Sequence, residues 1–295
     1  KKSWESNADL YADLLNIGTL SGSIQLYTAT RAQDFKSICE VGVGSGYSSF
    51  IFATSYLQPG ADYYNSDISE NMIKHMEKKY KTSHLVHSPS LKFEVLEESD
   101  SIKVPLKKDS EDGITSNIYA TVANNEALPY PDEAFDLYLS ALSLMLVSNP
   151  YNMLSEAFRV TQKGGSVGFT VIGRSDKQGI WSTMAATFKN LDIDVSNPMK
   201  TIKLNSPEAM ESILEEAGFT KIKSYYSPMN PNMTCEETLK FACNAGPYKK
   251  IFSEMTTEKN ETFKEEFGKL WNEQFGENTD SFLTVEIIVV TAKKE

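Results

Sequence analysis

The chain has 295 residues, 40% of them hydrophobic and 23% charged, which is typical of a globular protein with a substantial core. Its formal net charge of -11 argues against a nucleic-acid partner, because phosphate binding depends on Lys and Arg. No apolar stretch reaches the ~18 residues that a membrane span needs. Three cysteines without metal-ligand spacing predict a reducing, cytoplasmic location and no metal site. We treat residues 1–295 as a single domain.

The chain opens with apolar residues at helical spacing, namely Trp4, Ala8, Tyr11 and Leu15. Gly18 is placed to end this helix, and a second short helix is expected over about residues 21–31. Together, residues 1–34 are predicted to form an N-terminal helical cap. The printed sequence begins with Lys rather than Met, so a removed targeting segment stays an open alternative.

Strand and helix patterns then alternate, which predicts βαβ units with a parallel sheet and helices on both faces. Strands are expected near residues 37–41, 62–66, 118–123, 134–139 and 166–172, and helices near 45–57, 69–79 and 151–161. Residues 84–116 break the pattern and predict an insertion before the third strand. Within it, an apolar alternation at residues 91–96 suggests a hairpin.

The rest of the chain predicts two more strands around a helical excursion. Residues 174–205 read as irregular, and residues 207–217 read as a helix with Pro in its first turn and Gly after its end. A strand over residues 219–226 and a buried strand over 283–290 would form an antiparallel edge. Residues 236–278 between them carry helical spacing and predict a lid insertion.

The first strand ends in three alternate glycines, Gly42, Gly44 and Gly46, with Glu40 two residues ahead. Glycine permits positive φ angles and a close backbone approach to a ligand, and the amides of the following helix would face the turn. A dinucleotide turn needs G-x-G-x-x-G, but Tyr47 stands at the third glycine position. This spacing disfavours a nicotinamide oxidoreductase. The remaining alternative is a plain strand-to-helix connection without a ligand.

Asp67 directly follows the second predicted strand. A carboxylate at the carboxyl end of the strand beside the glycine turn can accept hydrogen bonds from both ribose hydroxyls. Alternatively, Asp67 or Ser69 only caps the helix that follows. The two roles are compatible.

Two further stretches complete a pattern. Residues 123–136 read A-N-N-E-A-L-P-Y-P-D-E-A-F-D, and residues 156–165 read E-A-F-R-V-T-Q-K-G-G. Each alone is explained by turns or by a helix closed with glycine. In order and spacing, however, the four motifs over residues 37–173 resemble those of class I S-adenosylmethionine (SAM) methyltransferases. The resemblance is to the group of ubiquinone and menaquinone C-methyltransferases and many small-molecule enzymes.

This resemblance implies a Rossmann-like α/β sandwich with a mostly parallel seven-stranded sheet, an antiparallel last strand and helices on both faces. It implies SAM as cofactor and a small molecule as methyl acceptor. The implied cofactor-binding residues are Glu40, Gly42, Gly44, Gly46, Asp67, Ile68, Asn124, Asn125, Glu126, Ala141 and Tyr11. In this family the acid at Asp67 binds ribose, and the residue at Ile68 packs on adenine. Tyr27 and Trp181 are candidate substrate walls, although such aromatic residues more often lie in a core.

Two departures from the family pattern bear on activity. Asn124 replaces an acid that accepts a hydrogen bond from the adenine amino group, so the acceptor oxygen remains but the charge is lost. Residues 144–146 read Leu-Met-Leu where many relatives have two histidines, and the chain's histidines are His75, His84 and His87. We therefore expect no histidine base and leave the catalytic residues open. The alternative is an inactive SAM-binding or regulatory subunit.

Without such a base, the acceptor would be nucleophilic at the working pH, as a carboxylate, a thiolate or a deprotonated amine. Methyl transfer from a sulfonium is an in-line displacement that depends mainly on alignment. The sequence leaves the identity of the acceptor and the oligomeric state open.

Overall fold

A computed structural model describes residues 2–83, 90–96, 115–193, 195, 204–231, 233–244, 248–276 and 285–295. Its strands are β1 (Ser37–Val41), β2 (Asp62–Asp67), β3 (Leu91–Val95), β4 (Ser116–Val122), β5 (Phe135–Ala141), β6 (Thr161–Ile172), β7 (Thr220–Met229) and β8 (Val285–Lys293). Its helices are α1 (Lys2–Thr30), α2 (Tyr47–Ser55), α3 (Glu70–Thr82), α4 (Pro150–Val160), α5 (Gly179–Asn190), α6 (Pro207–Glu216), α7 (Cys235–Asn244), α8 (Lys249–Glu254) and α9 (Thr257–Phe275).

The described strands form one mixed sheet in the order β3-β4-β2-β1-β5-β6-β8-β7. Every pairing is parallel except those of β8, which runs antiparallel to both β6 and β7. Helices α1, α2 and α3 pack on one face of the sheet, and α4 and α6 pack on the other. The predicted α/β sandwich with an antiparallel last strand is confirmed.

The sheet has eight described strands rather than the expected seven, because β3 adds a parallel edge. The pairing of residues 91–95 is not that of a hairpin, because β3 pairs in parallel with β4 and Leu91 lies opposite Ser116. Its alternation arises because one face of the strand packs on helices, where Phe93 contacts Tyr80 of α3 with ring centroids 4.9 Å apart. Residues 84–89 and 97–114 of the predicted insertion lie outside the described residues.

Helix α1 is one continuous helix, so the prediction of two helices separated at Gly18 is wrong. Gly18 lies inside the helix because it packs closely on the chain after β7. A Cβ at Gly18 would lie 2.8 Å from the carbonyl oxygen of Pro231, and one at Gly22 would lie 2.9 Å from Met229 Sδ. These glycines therefore serve close packing rather than helix termination.

Helix α5 lies within residues 174–205, which the sequence pattern left irregular. Its apolar residues Ile180, Met184 and Phe188 follow a helical repeat and are buried. Phe188 contacts Phe263 of α9, with ring centroids 4.5 Å apart. The helix has no side chain that caps its first turn, so its start carries none of the usual sequence signal.

Arg159 of α4 holds the loop between β4 and β5. Its guanidinium donates to the carbonyl oxygens of Tyr130 at 2.7 Å and Leu128 at 3.1 Å. It also pairs with the carboxylates of Glu156 and Asp132, which raise its pKa. The two later sequence motifs are therefore joined by hydrogen bonds that fix the segment after β4.

Two glycine-to-alanine substitutions should change stability in opposite directions. Gly168 of β6 faces α1, where a Cβ would overlap Thr30 Cγ2 and lie 2.9 Å from Leu26 Cδ1. We expect Gly168→Ala to lower the free energy of unfolding by about 1–3 kcal/mol. At Gly268 of α9 a Cβ would meet nothing within 4 Å, so Gly268→Ala should raise it by about 0.5–1 kcal/mol.

Urea denaturation of both variants and the wild-type protein measures these changes. The same substitution is made at both positions, so each variant serves as the other's control. Equal stability changes in the two variants would show that the packing of α1 on β6 is not the deciding factor.

Candidate functional site

A cavity of about 690 Å³ lies between the carboxyl ends of β1, β2, β4 and β5 and a layer formed by α1, α5 and α7. Its size lies within the usual range for small-molecule sites. Of the predicted site residues, the structure brings together in its lining Glu40, Gly42, Gly44, Asp67, Ile68, Asn124, Asn125, Glu126, Ala141, Tyr11 and Trp181. Gly46 and Tyr27 do not line it.

The three glycines of the turn all have positive φ angles of 68°, 58° and 71°, but their neighbours differ. A Cβ on Gly42 would lie 2.5 Å from Ser143 Oγ, and one on Gly44 would lie 3.0 Å from the Tyr11 ring. Both positions border the cavity. The turn therefore admits a hydroxyl and an aromatic ring next to its backbone.

Gly46 serves the packing of helices instead. A Cβ at this position would lie 2.6 Å from Met76 Cγ of α3, and Gly46 forms the N-terminal cap of α2. Met76 occupies the space beside Gly46, and the part of Gly46 in cofactor contact stays a prediction.

Asp67 connects the glycine turn to the start of α3. One carboxylate oxygen accepts a hydrogen bond from the Gly44 amide at 2.9 Å, and the other accepts one from the Ser69 amide at 2.9 Å. Ser69 in turn caps α3 through the Met72 amide. Burial raises the pKa of Asp67, and these amides act in the opposite direction. The Ile68 amide adds a third hydrogen bond to the carboxylate. Because a carboxylate offers about four acceptor sites, the capping role leaves acceptor capacity for a ligand.

Glu40 is buried beneath the turn and is held by two tyrosines. Tyr27 donates to both carboxylate oxygens at 3.0 Å, and Tyr63 donates to one of them. Ser49 adds a longer hydrogen bond of 3.4 Å. Burial raises the pKa of Glu40 to about 7, and the hydroxyl donors oppose this rise.

The substrate-wall prediction for Tyr27 is wrong. Its side chain is only 3% exposed and lies outside the cavity, where it packs on Phe52 with ring centroids 4.7 Å apart. The helical spacing that suggested a wall instead directs Tyr27 toward the sheet and Glu40.

The two asparagines after β4 have different surroundings. Asn124 is exposed, and its Oδ1 accepts a hydrogen bond from the Glu126 amide at 3.1 Å. Asn125 is buried, and its Nδ2 donates to Ser143 Oγ at 2.9 Å. Its Oδ1 has no hydrogen-bond partner among the described residues.

Ser143 is a site residue that the sequence reasoning missed. It lies two residues beyond β5, at the same sheet edge as the glycine turn and Asp67. The only available signal was its position after a parallel strand, where ligands of open α/β sheets bind. Asn16 of α1 was missed as well, and its Oδ1 accepts a hydrogen bond of 2.5 Å from Ser45 in the turn.

The described histidine lies away from the cavity. His75 of α3 contacts Asp9 at 2.8 Å on the surface, while His84 and His87 lie outside the described residues. In the part of the chain that the structure describes, no three His, Cys, Asp or Glu residues are grouped to hold a metal. No described helix is long and apolar enough to cross a membrane.

Comparison with known proteins identifies the domain that holds this cavity. A sequence profile described as a methyltransferase domain matches residues 39–125 and 117–169. The ubiquinone/menaquinone biosynthesis C-methyltransferase UbiE of Erwinia tasmaniensis is 40% identical over 67 residues, covering 23% of this chain and 27% of that protein. Residues 39–169 thus match a methyltransferase domain, and the sheet topology supports the class I SAM-dependent type. SAM is the cofactor of this family.

Two further comparisons cover more of the chain. An uncharacterized protein of Methanocaldococcus jannaschii is 32% identical over 107 residues, covering 36% of this chain and 49% of that protein. The matches therefore span half or less of these relatives' own length. A crystal structure described as a SAM-dependent methyltransferase, possible histamine N-methyltransferase, from Thermotoga maritima has a TM-score of 0.52 and 14% identity. It covers 100% of this chain and 99% of that chain, and it supports the fold alone.

Glu40→Gln should change the pH dependence of stability of the methyltransferase domain. The pKa of Glu40 is raised in the folded state, so the folded protein favours the protonated side chain. Its contribution to the free energy of unfolding is therefore fully present below about pH 4.5 and is lost as the pH rises through about 7. Glutamine stays neutral, so the unfolding free energy of the variant relative to wild type should rise by about 2–3 kcal/mol over this window.

Urea denaturation of both proteins at several pH values between 4.5 and 8 gives this difference. Asp67 is present in both proteins, so its own raised pKa cancels in the comparison. A difference that does not vary with pH would show that Glu40 titrates in the folded protein as it does in the unfolded chain.

Proposed function

We propose that the domain transfers the sulfonium methyl group of SAM to a small-molecule acceptor by in-line displacement. The observation that carries this proposal is the single cavity that joins the glycine turn and Asp67 to an apolar wall from α5 and α7. One region suits the donor and the other suits an acceptor. Helix α1, through Tyr11 and Trp4, closes the space between them.

The cofactor half fits SAM in shape and chemistry. Gly42 and Gly44 lack side chains where the backbone borders the cavity, and Asp67 keeps acceptor lone pairs for the ribose hydroxyls. Ile68 lines the cavity next to Asp67, where it would pack on the adenine. The first amides of α2, beginning at Tyr47, lack helical partners and suit a carboxylate.

The residues of the chain act in this reaction by position rather than by proton transfer. When bound, SAM supplies an electrophilic methyl group. Alignment of two reactants in one site can lower a barrier by about 7–11 kcal/mol. Ile180, Met229 and Phe241 form apolar walls of the cavity, and apolar surroundings favour a reaction that disperses charge.

Asp67→Asn should weaken SAM binding about 10–100-fold. The substitution removes the charge that accepts hydrogen bonds from the ribose and from the Gly44 and Ser69 amides. Asp13→Asn on the exposed side of α1 removes the same charge outside the cavity and serves as the control. Calorimetry with SAM measures both. Equal affinities in the two variants would contradict the ribose role of Asp67.

Incubation with methyl-labelled SAM and a metabolite extract tests transfer itself. We expect label to appear in a small-molecule fraction. The second candidate is an inactive SAM-binding or regulatory subunit, which the uncharged Asn124 in place of the family's acid favours. SAM binding without transfer to any acceptor would favour that candidate. Absence of both binding and transfer would overturn the proposal.

A further inference from the structure

The two halves of the cavity differ in charge. The charged residues among its described lining are Glu40, Asp67 and Glu126, and all three lie at the strand ends. The opposite wall is formed by Ile180, Trp181, Met229, Met233 and Phe241. No Lys or Arg belongs to the described lining. Lys249 is not part of the described lining, but its Nζ donates a hydrogen bond of 3.4 Å to Oδ1 of the lining residue Asn7.

This distribution penalises an anionic acceptor. A carboxylate or phosphate that leaves water needs a cation or several donors to offset the lost hydration. The apolar wall offers neither, and the carboxyl side chains of Asp67 and Glu126 across the cavity are of the same sign as an anion. An uncharged apolar molecule meets no such penalty and gains from contact with the methionines, Ile180, Trp181 and Phe241.

Two buried polar atoms in the lining lack partners among the described residues. Asn125 is 7% exposed and has a free Oδ1, and Thr238 of α7 is 1% exposed and has a free Oγ1. A buried amide oxygen without a partner favours a ligand that brings a donor. Because the Asn125 amide group also donates to Ser143, the orientation of this oxygen is fixed by the protein.

Building on the proposed function, we propose that the acceptor is an uncharged, mainly apolar molecule whose nucleophilic atom carries an N–H or O–H donated to Asn125 Oδ1. Carboxylates and phosphates are excluded as acceptors. The lone pair of this nitrogen or oxygen forms the bond to the methyl carbon, and the carbon–sulfur bond breaks with its electron pair remaining on sulfur. The positive charge passes to the acceptor atom, which releases its proton to water.

Matched probes test the charge selectivity. We would measure calorimetric binding of 4-ethylaniline, 4-ethylphenol and 4-ethylbenzoate near pH 7, which share one apolar body but differ in charge. With the sulfonium-free product S-adenosylhomocysteine bound, the two neutral probes should bind at least about tenfold more tightly than the carboxylate. Equal or tighter binding of 4-ethylbenzoate, or binding of none of the probes, would overturn the proposal.

A positive charge introduced elsewhere in the cavity lining provides a gain-of-function test. Met145 is half-buried and lines the cavity, and lysine is a similarly long, unbranched replacement. Met145→Lys should narrow or reverse the preference for 4-ethylaniline over 4-ethylbenzoate, whereas the neutral control Met145→Gln should keep this preference. If the ratio of affinities is the same in both variants, wall charge does not select the acceptor.

The role of Asn125 is tested with a probe that lacks a donor. Asn125→Leu should weaken the binding of 4-ethylaniline about tenfold and leave the binding of 4-ethylanisole unchanged. Equal losses for both probes would indicate a purely structural role.

All affinities are measured with and without S-adenosylhomocysteine. Failure of that nucleoside to bind would overturn the proposed function, whereas the ratio of probe affinities still decides the acceptor class.

Discussion

The hydrogen bonds that Asp67 accepts are the constraint on which the cofactor half of the cavity depends. The Gly44 amide reaches this carboxylate from one side and the Ser69 amide from the other, each at 2.9 Å. They fix the glycine turn and the start of α3 at the same sheet edge. Burial of the carboxyl opposes its ionisation, and the two amides offset this cost. The turn is thus held in place by the protein before a ligand is present.

Helix α1 extends this arrangement across the opening. Glu5 accepts hydrogen bonds from the Glu70 and Asn71 amides at the start of α3, where a negative charge is favourable. Tyr11 covers Gly44, and Asn16 accepts a hydrogen bond from Ser45. Helix α1 therefore contacts both segments that Asp67 holds in place, the glycine turn and the start of α3. Gly18 and Gly22 in the middle of this helix lack side chains, which allows the helix to approach Pro231 and Met229 at the end of β7.

Much of the fold could be predicted because burial repeats along single segments. The strands β5 and β8 are mainly apolar segments bounded by turns, and the alternation of strands and helices predicts the class of architecture. The errors arise where a residue's role depends on a distant partner. Gly18 has the form of a helix end, yet Pro231 explains its presence. The alternation in β3 suits a hairpin equally well until its parallel pairing with β4 is known.

The site residues also differ in whether a local sequence pattern predicts them or a distant partner decides their role. The proposed cofactor half comes from continuous motifs at the ends of neighbouring strands, so residues such as Gly44 and Asp67 could be found from spacing. The acceptor half is assembled from α5, β7 and α7, and no local pattern distinguishes Trp181 in a cavity wall from Tyr27 in the core. Ser143 becomes visible only when β5 is known to end beside Gly42.

The charges of the two halves also bear on the order of events under the proposed function. Glu40, Asp67 and Glu126 surround the donor half and favour a ligand with a positive sulfonium. After transfer the sulfur is a neutral thioether, so this attraction is lost for the product. The same carboxyl groups that help to bind the donor would then hold the product less tightly. The neutral apolar wall, by contrast, interacts with the acceptor through contacts that methylation barely alters, so the release of the two products is governed by different forces.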